Sequence, residues 1–191
     1  MQGYLAVVTG PSGVGKGTLI REVCRRGLEM HLPVSATTRL KKGGEVDGRE
    51  YHFRTPEQFQ ELVDEGAFIE QFEYAGNRYG TLRSEVEGPL SQGQLVLLEI
   101  EVQGALRVRE VYPDAVLIFI NAPLYIIEQR LPSRGRESEQ EVQLRLKTAK
   151  WERSQKQNFD FLLVNDDLAS SVEALYELLA ERARPWAVSS G

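Results

Sequence analysis

One segment constrains this chain more than any other: Gly10-Pro11-Ser12-Gly13-Val14-Gly15-Lys16-Gly17-Thr18. It lies between the apolar run Tyr4–Thr9 and the run Lys16–Arg26, where Leu19, Ile20, Val23 and Cys24 recur at helical spacing. Glycines at 10, 13 and 15 let the backbone turn tightly, so that several N–H groups face one point. The helix opening at the end of the loop adds partial positive charge, and the Lys16 ammonium can reach the outer phosphates of a nucleotide. Strand, loop and helix in that order predict an α/β fold with a nucleoside triphosphate cradled by residues 10–18. The usual pattern places Ser or Thr directly after the lysine as a Mg2+ ligand, and here that position is Gly17. Thr18 sits about 100° further round the helix. Thr18 is therefore the candidate metal ligand or a phosphate contact, with Mg2+ otherwise held by phosphates and water, which it tolerates well.

Four further apolar segments read as buried strands: Pro33–Ala36, Leu95–Ile100, Ala115–Asn121 and Phe161–Val164. Helical patterns separate most of them, which predicts a three-layer α/β core around a mainly parallel five-stranded sheet. Glu137–Asn158 is expected to be a long charged helix with a capping-box start at Ser138 and Glu141, and Ser171–Arg182 another helix. Two stretches break the alternation. Residues 37–83 carry a basic, Gly-containing run, then a short helix expected from Thr55-Pro56 to Gly66, then extended segments around a Gly76-Asn77 turn. Residues 130–136 form an Arg-rich loop between two helices. The expected division is a core of residues 1–36, 84–126 and 146–191, an inserted lobe of 37–83 and a lid of 127–145, together one structural unit.

Composition removes several classes of function. With 23 Lys plus Arg against 28 Asp plus Glu, the net charge of −5 argues against broad polyanion binding, so no nucleic-acid partner is expected. Cys24 is the only cysteine, which excludes an intramolecular disulfide and a Cys-based zinc cage. Its place in a helical pattern predicts a small buried hydrophobe. The longest strictly apolar run, Ala115–Ile120, is far short of a membrane span, and the N-terminus carries no basic export region. A cytoplasmic location is the expectation. His31 and His52 fall in no catalytic pattern and are read as structural.

The inserted lobe supplies a second set of polar groups. Ser35-Ala36-Thr37-Thr38-Arg39-Leu40-Lys41-Lys42-Gly43-Gly44-Glu45 is followed by Asp47-Gly48-Arg49-Glu50-Tyr51-His52-Phe53, then Phe68-Ile69-Glu70 and Gly76-Asn77-Arg78-Tyr79-Gly80-Thr81. With these motifs the sequence strongly resembles the guanylate kinase family, from the phosphate loop to Asn165-Asp166-Asp167. The resemblance implies a P-loop kinase fold and transfer of a phosphoryl group from ATP to GMP, giving ADP and GDP. It implies Mg2+ as cofactor, and dGMP as a further possible acceptor. By its pattern Arg39, Lys42, Tyr51 and Tyr79 hold the GMP phosphate, Ser35, Glu70 and Thr81 read the guanine, and Gly80 completes that site. Lys42 and Lys41 stand where the family usually has Arg and Pro; Lys grips a phosphate as a point charge, without the planar fork of Arg.

Glu99 and Glu101 end a buried strand with carboxylates on the same side, at positions normally Asp in the family. They orient the GMP or a metal-bound water, or they cap the strand end and pair with an arginine. The resemblance implies that Lys16, Arg130, Arg134 and Arg145 stabilise the transferring group, as a loose phosphoryl-transfer transition state requires. Asn165 matches the family's adenine-contacting loop, and turn formation by Asn-Asp explains it equally well. Two alternatives stand beside the enzyme: a non-catalytic module of the same family, and a kinase acting on another monophosphate. The retained Lys16 and Arg-rich loop weigh against the first; Glu70 and Thr81 weigh against the second.

Overall fold

A parallel strand covered on both faces has no polar side to present, and the core segments of this chain are apolar along nearly their whole length. A computed structural model describes residues 3–74, 76–123, 125–126, 151–152 and 154–183. The elements run β1 (Tyr4–Thr9), α1 (Lys16–Arg25), β2 (Ala36–Thr37), β3 (His52–Phe53), α2 (Pro56–Asp64), β4 (Phe68–Tyr74) and β5 (Asn77–Leu82). They continue with α3 (Arg83–Ser91), β6 (Leu95–Glu99), α4 (Val102–Val111), β7 (Val116–Asn121), a 3-10 turn at Lys156–Asn158, β8 (Phe161–Val164) and α5 (Leu168–Ala183).

The core sheet has the order β6-β1-β7-β8, and every pairing in it is parallel. Alternate strand residues feed two apolar clusters. On one face Ala6, Val8, Leu97 and Ile118 pack with Leu19 and Val23 of α1 and with Leu175 and Leu179 of α5. On the other face Leu5, Val7, Leu98 and Leu117 pack with Val86 of α3, Ala105 and Val108 of α4, and Ile69 of β4. Helix, sheet, helix gives the expected three layers.

The sheet has four strands among the described residues, not five. The chain begins a fifth at the outer edge of β6, where His31 bridges Val96, His31 N–H donates to the Leu95 carbonyl and Leu97 N–H donates to the His31 carbonyl. The next inward-facing N–H would come from residue 33, which is proline and has none. Pairing stops there, and Ala36 instead joins a second sheet of order β3-β2-β5-β4. Cys24 also differs from expectation. It lies in α1 but is exposed, because residues 24–27 run past the edge of the core. Of the helix expected over 137–158, residues 137–150 lie outside the described residues, and its end is the 3-10 turn.

In the second sheet α2 starts where Thr55 caps it: the Thr55 hydroxyl accepts from Gln58 N–H, and the Gln58 side chain accepts from Thr55 N–H. This helix buries Phe59, whose ring stacks on Phe68 with centroids 4.5 Å apart, beside Ala36 and Leu82. The β4–β5 pairing carries a bulge. Phe68 opposes Leu82, but Glu70 opposes Thr81, so one extra residue sits on β4. The bulge sends Ile69 into the core cluster and turns Glu70 toward Thr81.

Candidate active site

The phosphate loop joins the C-terminal end of β1 to α1, where a doubly covered parallel sheet opens its crevice. Gly10 adopts φ 142°, and a Cβ built there would fall 2.1 Å from the Ile120 carbonyl oxygen, so the loop rests directly on β7. Gly13 and Gly15 have φ 83° and 98°, with Gly15 forming the N-cap of α1. Pro11 and Val14 are buried beneath the loop. Lys16 Nζ donates to the Gly10 carbonyl at 2.6 Å, which folds the ammonium back over the loop. Asn165 is buried, and its Nδ2 donates to the Val14 carbonyl at 2.7 Å. Its side chain thus braces the loop from the end of β8.

A cavity of about 860 Å³ opens over this loop. Ser12, Gly13 and Gly15–Thr18 line one end; Ser35, Tyr51, Glu70 and Tyr79 line the other. Glu99, Glu101 and Asn165 complete the lining. Neither Arg39 nor Lys42 is among the lining residues, and Arg39 lies against the Tyr51 ring. The Arg39 guanidinium sits 5.3 Å from the Tyr51 ring centroid and pairs with Glu45 through both terminal nitrogens, at 2.7 and 3.1 Å. That pairing raises the Arg39 pKa and lowers that of Glu45. Lys42 is exposed, and its N–H donates to Glu45. Tyr51 and Tyr79 meet edge to face at 5.9 Å, and Phe72 stacks on Tyr79 at 5.5 Å. Gly80 is a packing position: a Cβ there would come within 2.7 Å of the Phe68 ring.

Glu70 is the most unusual group in the cavity. The Thr81 hydroxyl donates to its Oε1 at 2.7 Å, both residues are buried, and Oε2 has no partner among the described residues. Burial pushes the Glu70 carboxyl up, reinforced by the charge of Glu101 and opposed by its bonds from Thr81. A buried acceptor left unpaired is costly. Its position is that of a group awaiting a donor.

The metal question turns on what surrounds Gly17. A Cβ at that position would lie 3.4 and 3.6 Å from the Glu99 carboxylate oxygens and 3.5 Å from Arg21 Nη1. Thr18 Oγ1 accepts from Arg21 Nη2 at 3.2 Å. A hard oxygen donor, the Glu99 carboxylate, therefore faces the loop where the missing hydroxyl would have been, and Glu101 lines the same cavity; such oxygens suit Mg2+ when phosphates and water complete its shell.

Arg130, Arg134 and Arg145 lie outside the described residues. Three residues escaped the sequence reading. Arg21 was within reach of it, since it follows Thr18 by three positions on the same helix. Phe72 follows from strand alternation on from Glu70. Glu152 gave no signal within a run of charged residues. It is buried, and that burial together with hydrogen bonding and charge from Glu101 pushes it up to about 8, against the pull of Lys16. His31 and His52 both approach Glu85, at 3.6 and 2.9 Å, away from the loop.

Known proteins similar to this chain point the same way. A sequence profile described as guanylate kinase matches residues 2–182. A guanylate kinase of Synechocystis sp. is 46% identical over 182 residues, covering 95% of each chain. One from Thermus thermophilus is 47% identical over 186 residues, covering 96% of this chain and 84% of the relative. The crystal structure of guanylate kinase from Anaplasma phagocytophilum superposes with a TM-score of 0.72 at 29% identity, covering 97% of this chain and 88% of that one. Similarity sustained across nearly the whole sequence, loop and second sheet alike, means that the chain belongs to the guanylate kinase family.

Proposed function

We propose that this chain transfers a phosphoryl group from ATP to GMP, giving ADP and GDP, with the acceptor base read by Glu70 and Thr81. One observation carries the reading: the unpartnered Oε2 of buried Glu70 lies in the same cavity as the phosphate loop. Guanine presents N1–H and a 2-amino group side by side, and a carboxylate accepts from both. Adenine offers a bare acceptor at N1 and would leave the carboxylate buried and unpaired. A site of this kind rejects the wrong base by about 10⁴–10⁵.

The donor phosphates lie on the backbone N–H groups of residues 10–18, with Lys16 leaving the Gly10 carbonyl to meet them. Arg39, steadied by Glu45, and Lys42, Tyr51 and Tyr79 hold the acceptor phosphate from the opposite wall, with Ser35 at the base and Gly80 keeping β5 flat against Phe68. The residues 37–83 serve as the acceptor lobe, and 127–145 as a lid bringing Arg130, Arg134 and Arg145 over the transferring group. Asn165 sets the loop, and its remaining amide hydrogen is available to adenine. A phosphate monoester has a second pKa of about 6, so the attacking oxygen is already ionised near neutral pH and needs no general base. Glu99 and Glu101, with Thr18, are the groups that would hold Mg2+, which when bound neutralises charge on the phosphates. Among the described residues no helix is long and apolar enough to cross a membrane; a cytoplasmic setting suits the ATP supply the reaction needs, and dGMP fits the same base reader.

The test is Lys16→Ala, assayed by coupled ADP production with circular dichroism as the folding control. Near-complete loss of turnover in a folded protein is expected. Substantial residual activity would remove Lys16, and with it the loop, from the reaction.

A further inference from the structure

Gly104 stands as the third residue of α4, a helical position where glycine is less favourable than alanine by about 1 kcal/mol. Its backbone does not demand glycine, since it is not among the glycines with positive φ. Space does. A Cβ built on Gly104 falls 3.1 Å from Glu70 Oε2, 3.5 Å from Glu70 Cδ and 3.3 Å from Ile100 Cδ1. Ile100 is buried in the core cluster. The Glu70 carboxylate is already fixed at Oε1 by the Thr81 hydroxyl. An added methyl would therefore press on Oε2, the buried Glu70 oxygen that has no hydrogen-bond partner among the described residues.

We propose that Gly104 is a specificity-determining position for the acceptor base: its missing side chain creates the space in which Glu70 Oε2 stands ready for the base, a conclusion resting on the assignment of Glu70 as the guanine contact. Gly104 is not among the residues that line the cavity. It acts by setting where the Glu70 carboxylate sits against the first turn of α4. A methyl at this place displaces the acceptor by a few tenths of an ångström and weakens guanine binding while leaving the phosphate loop untouched.

The experiment compares Gly104→Ala with Gly88→Ala, a helical glycine of α3 whose added Cβ would meet nothing within 4 Å. KM for GMP and for ATP, kcat and the melting temperature are measured for both. Gly104→Ala is expected to raise KM for GMP about tenfold, the order of one weakened charge-assisted hydrogen bond, with KM for ATP changed less than about twofold. Gly88→Ala should change neither. A Gly104→Ala variant that matches Gly88→Ala, or that raises both KM values together, would overturn the proposal. In a Glu70→Asp background the carboxylate is drawn back by one methylene, so Gly104→Ala should fold and alter KM for GMP by less than about twofold; a further tenfold loss there would also overturn it. Glu70→Gln separates the two ideas. Retained GMP preference in that variant removes the guanine assignment itself, whereas lost preference beside an unaffected Gly104→Ala removes only the role of Gly104.

Discussion

Replacing Glu70 by Gln changes one oxygen to an amide and almost nothing in volume, which makes it the sharpest probe of the base site. Thr81 already donates to Oε1, so the amide oxygen of the substitute is retained there and the NH2 takes the place of Oε2. That NH2 then faces the N1–H and 2-amino group of guanine, donor against donor. Two hydrogen bonds to a charged acceptor, at about 1.5–3 kcal/mol each, amount to about 3–6 kcal/mol. At about 1.4 kcal/mol per factor of ten, kcat/KM for GMP should fall by about 10²–10⁴. KM for ATP should stay within about twofold, because the phosphate loop is untouched. AMP should gain relative to GMP, since an amide N–H suits the bare N1 of adenine. Burial raises the pKa of Glu70, so its ionised form opposes folding near neutral pH, and the Gln variant should melt no lower than the parent. The assay is coupled ADP release with GMP and AMP titrated separately, alongside calorimetry. An unchanged GMP-over-AMP ratio in a folded variant would refute the assignment of Glu70 as the base reader.

Two other perturbations probe the parts around it. Asn165→Ala removes the buried bond to the Val14 carbonyl and should cost about 1–2 kcal/mol in urea unfolding, with KM for ATP rising and KM for GMP unmoved; equal effects on both substrates would contradict its bracing of the loop. Glu152 binds its proton more tightly in the folded chain than in the unfolded one, so its contribution to stability is full below the ordinary carboxylate value of 4.5 and is lost as pH rises through about 8. Urea midpoints should therefore fall across that window in the parent and fall less in Glu152→Gln, and parallel profiles would show that Glu152 does not titrate there.

Local chemistry was legible in the sequence and long-range geometry was not. The phosphate loop could be read because glycine conformations and a helix start are decided within a few residues, and α2 because Thr55, Pro56 and Gly66 mark both its ends. Pro33 was the warning against a fifth core strand, since a missing N–H ends pairing, yet the apolar run around it looked like a strand. The helical spacing of Cys24 was correct while its burial was not, because a pattern shows a face and not where the core beneath it ends. The bulge that sets Glu70 opposite Thr81 had no local mark; it follows from Ile69 being drawn into the core of a different sheet. Net charge was the poorest guide of all. A chain of −5 overall sets Lys16, Arg21 and Arg39 around one cavity and its walls, the cavity proposed to receive two anionic substrates.

The central claim is that one cavity joins a triphosphate cradle to a guanine reader, and the most direct test is the acceptor itself. ADP formation from ATP is measured in parallel with GMP, dGMP, AMP and UMP at equal concentrations. GMP should be turned over with kcat/KM about 10⁴-fold above AMP, dGMP should follow GMP, and UMP should give almost nothing. Absence of turnover with GMP, or turnover of AMP at a comparable rate, would contradict the account.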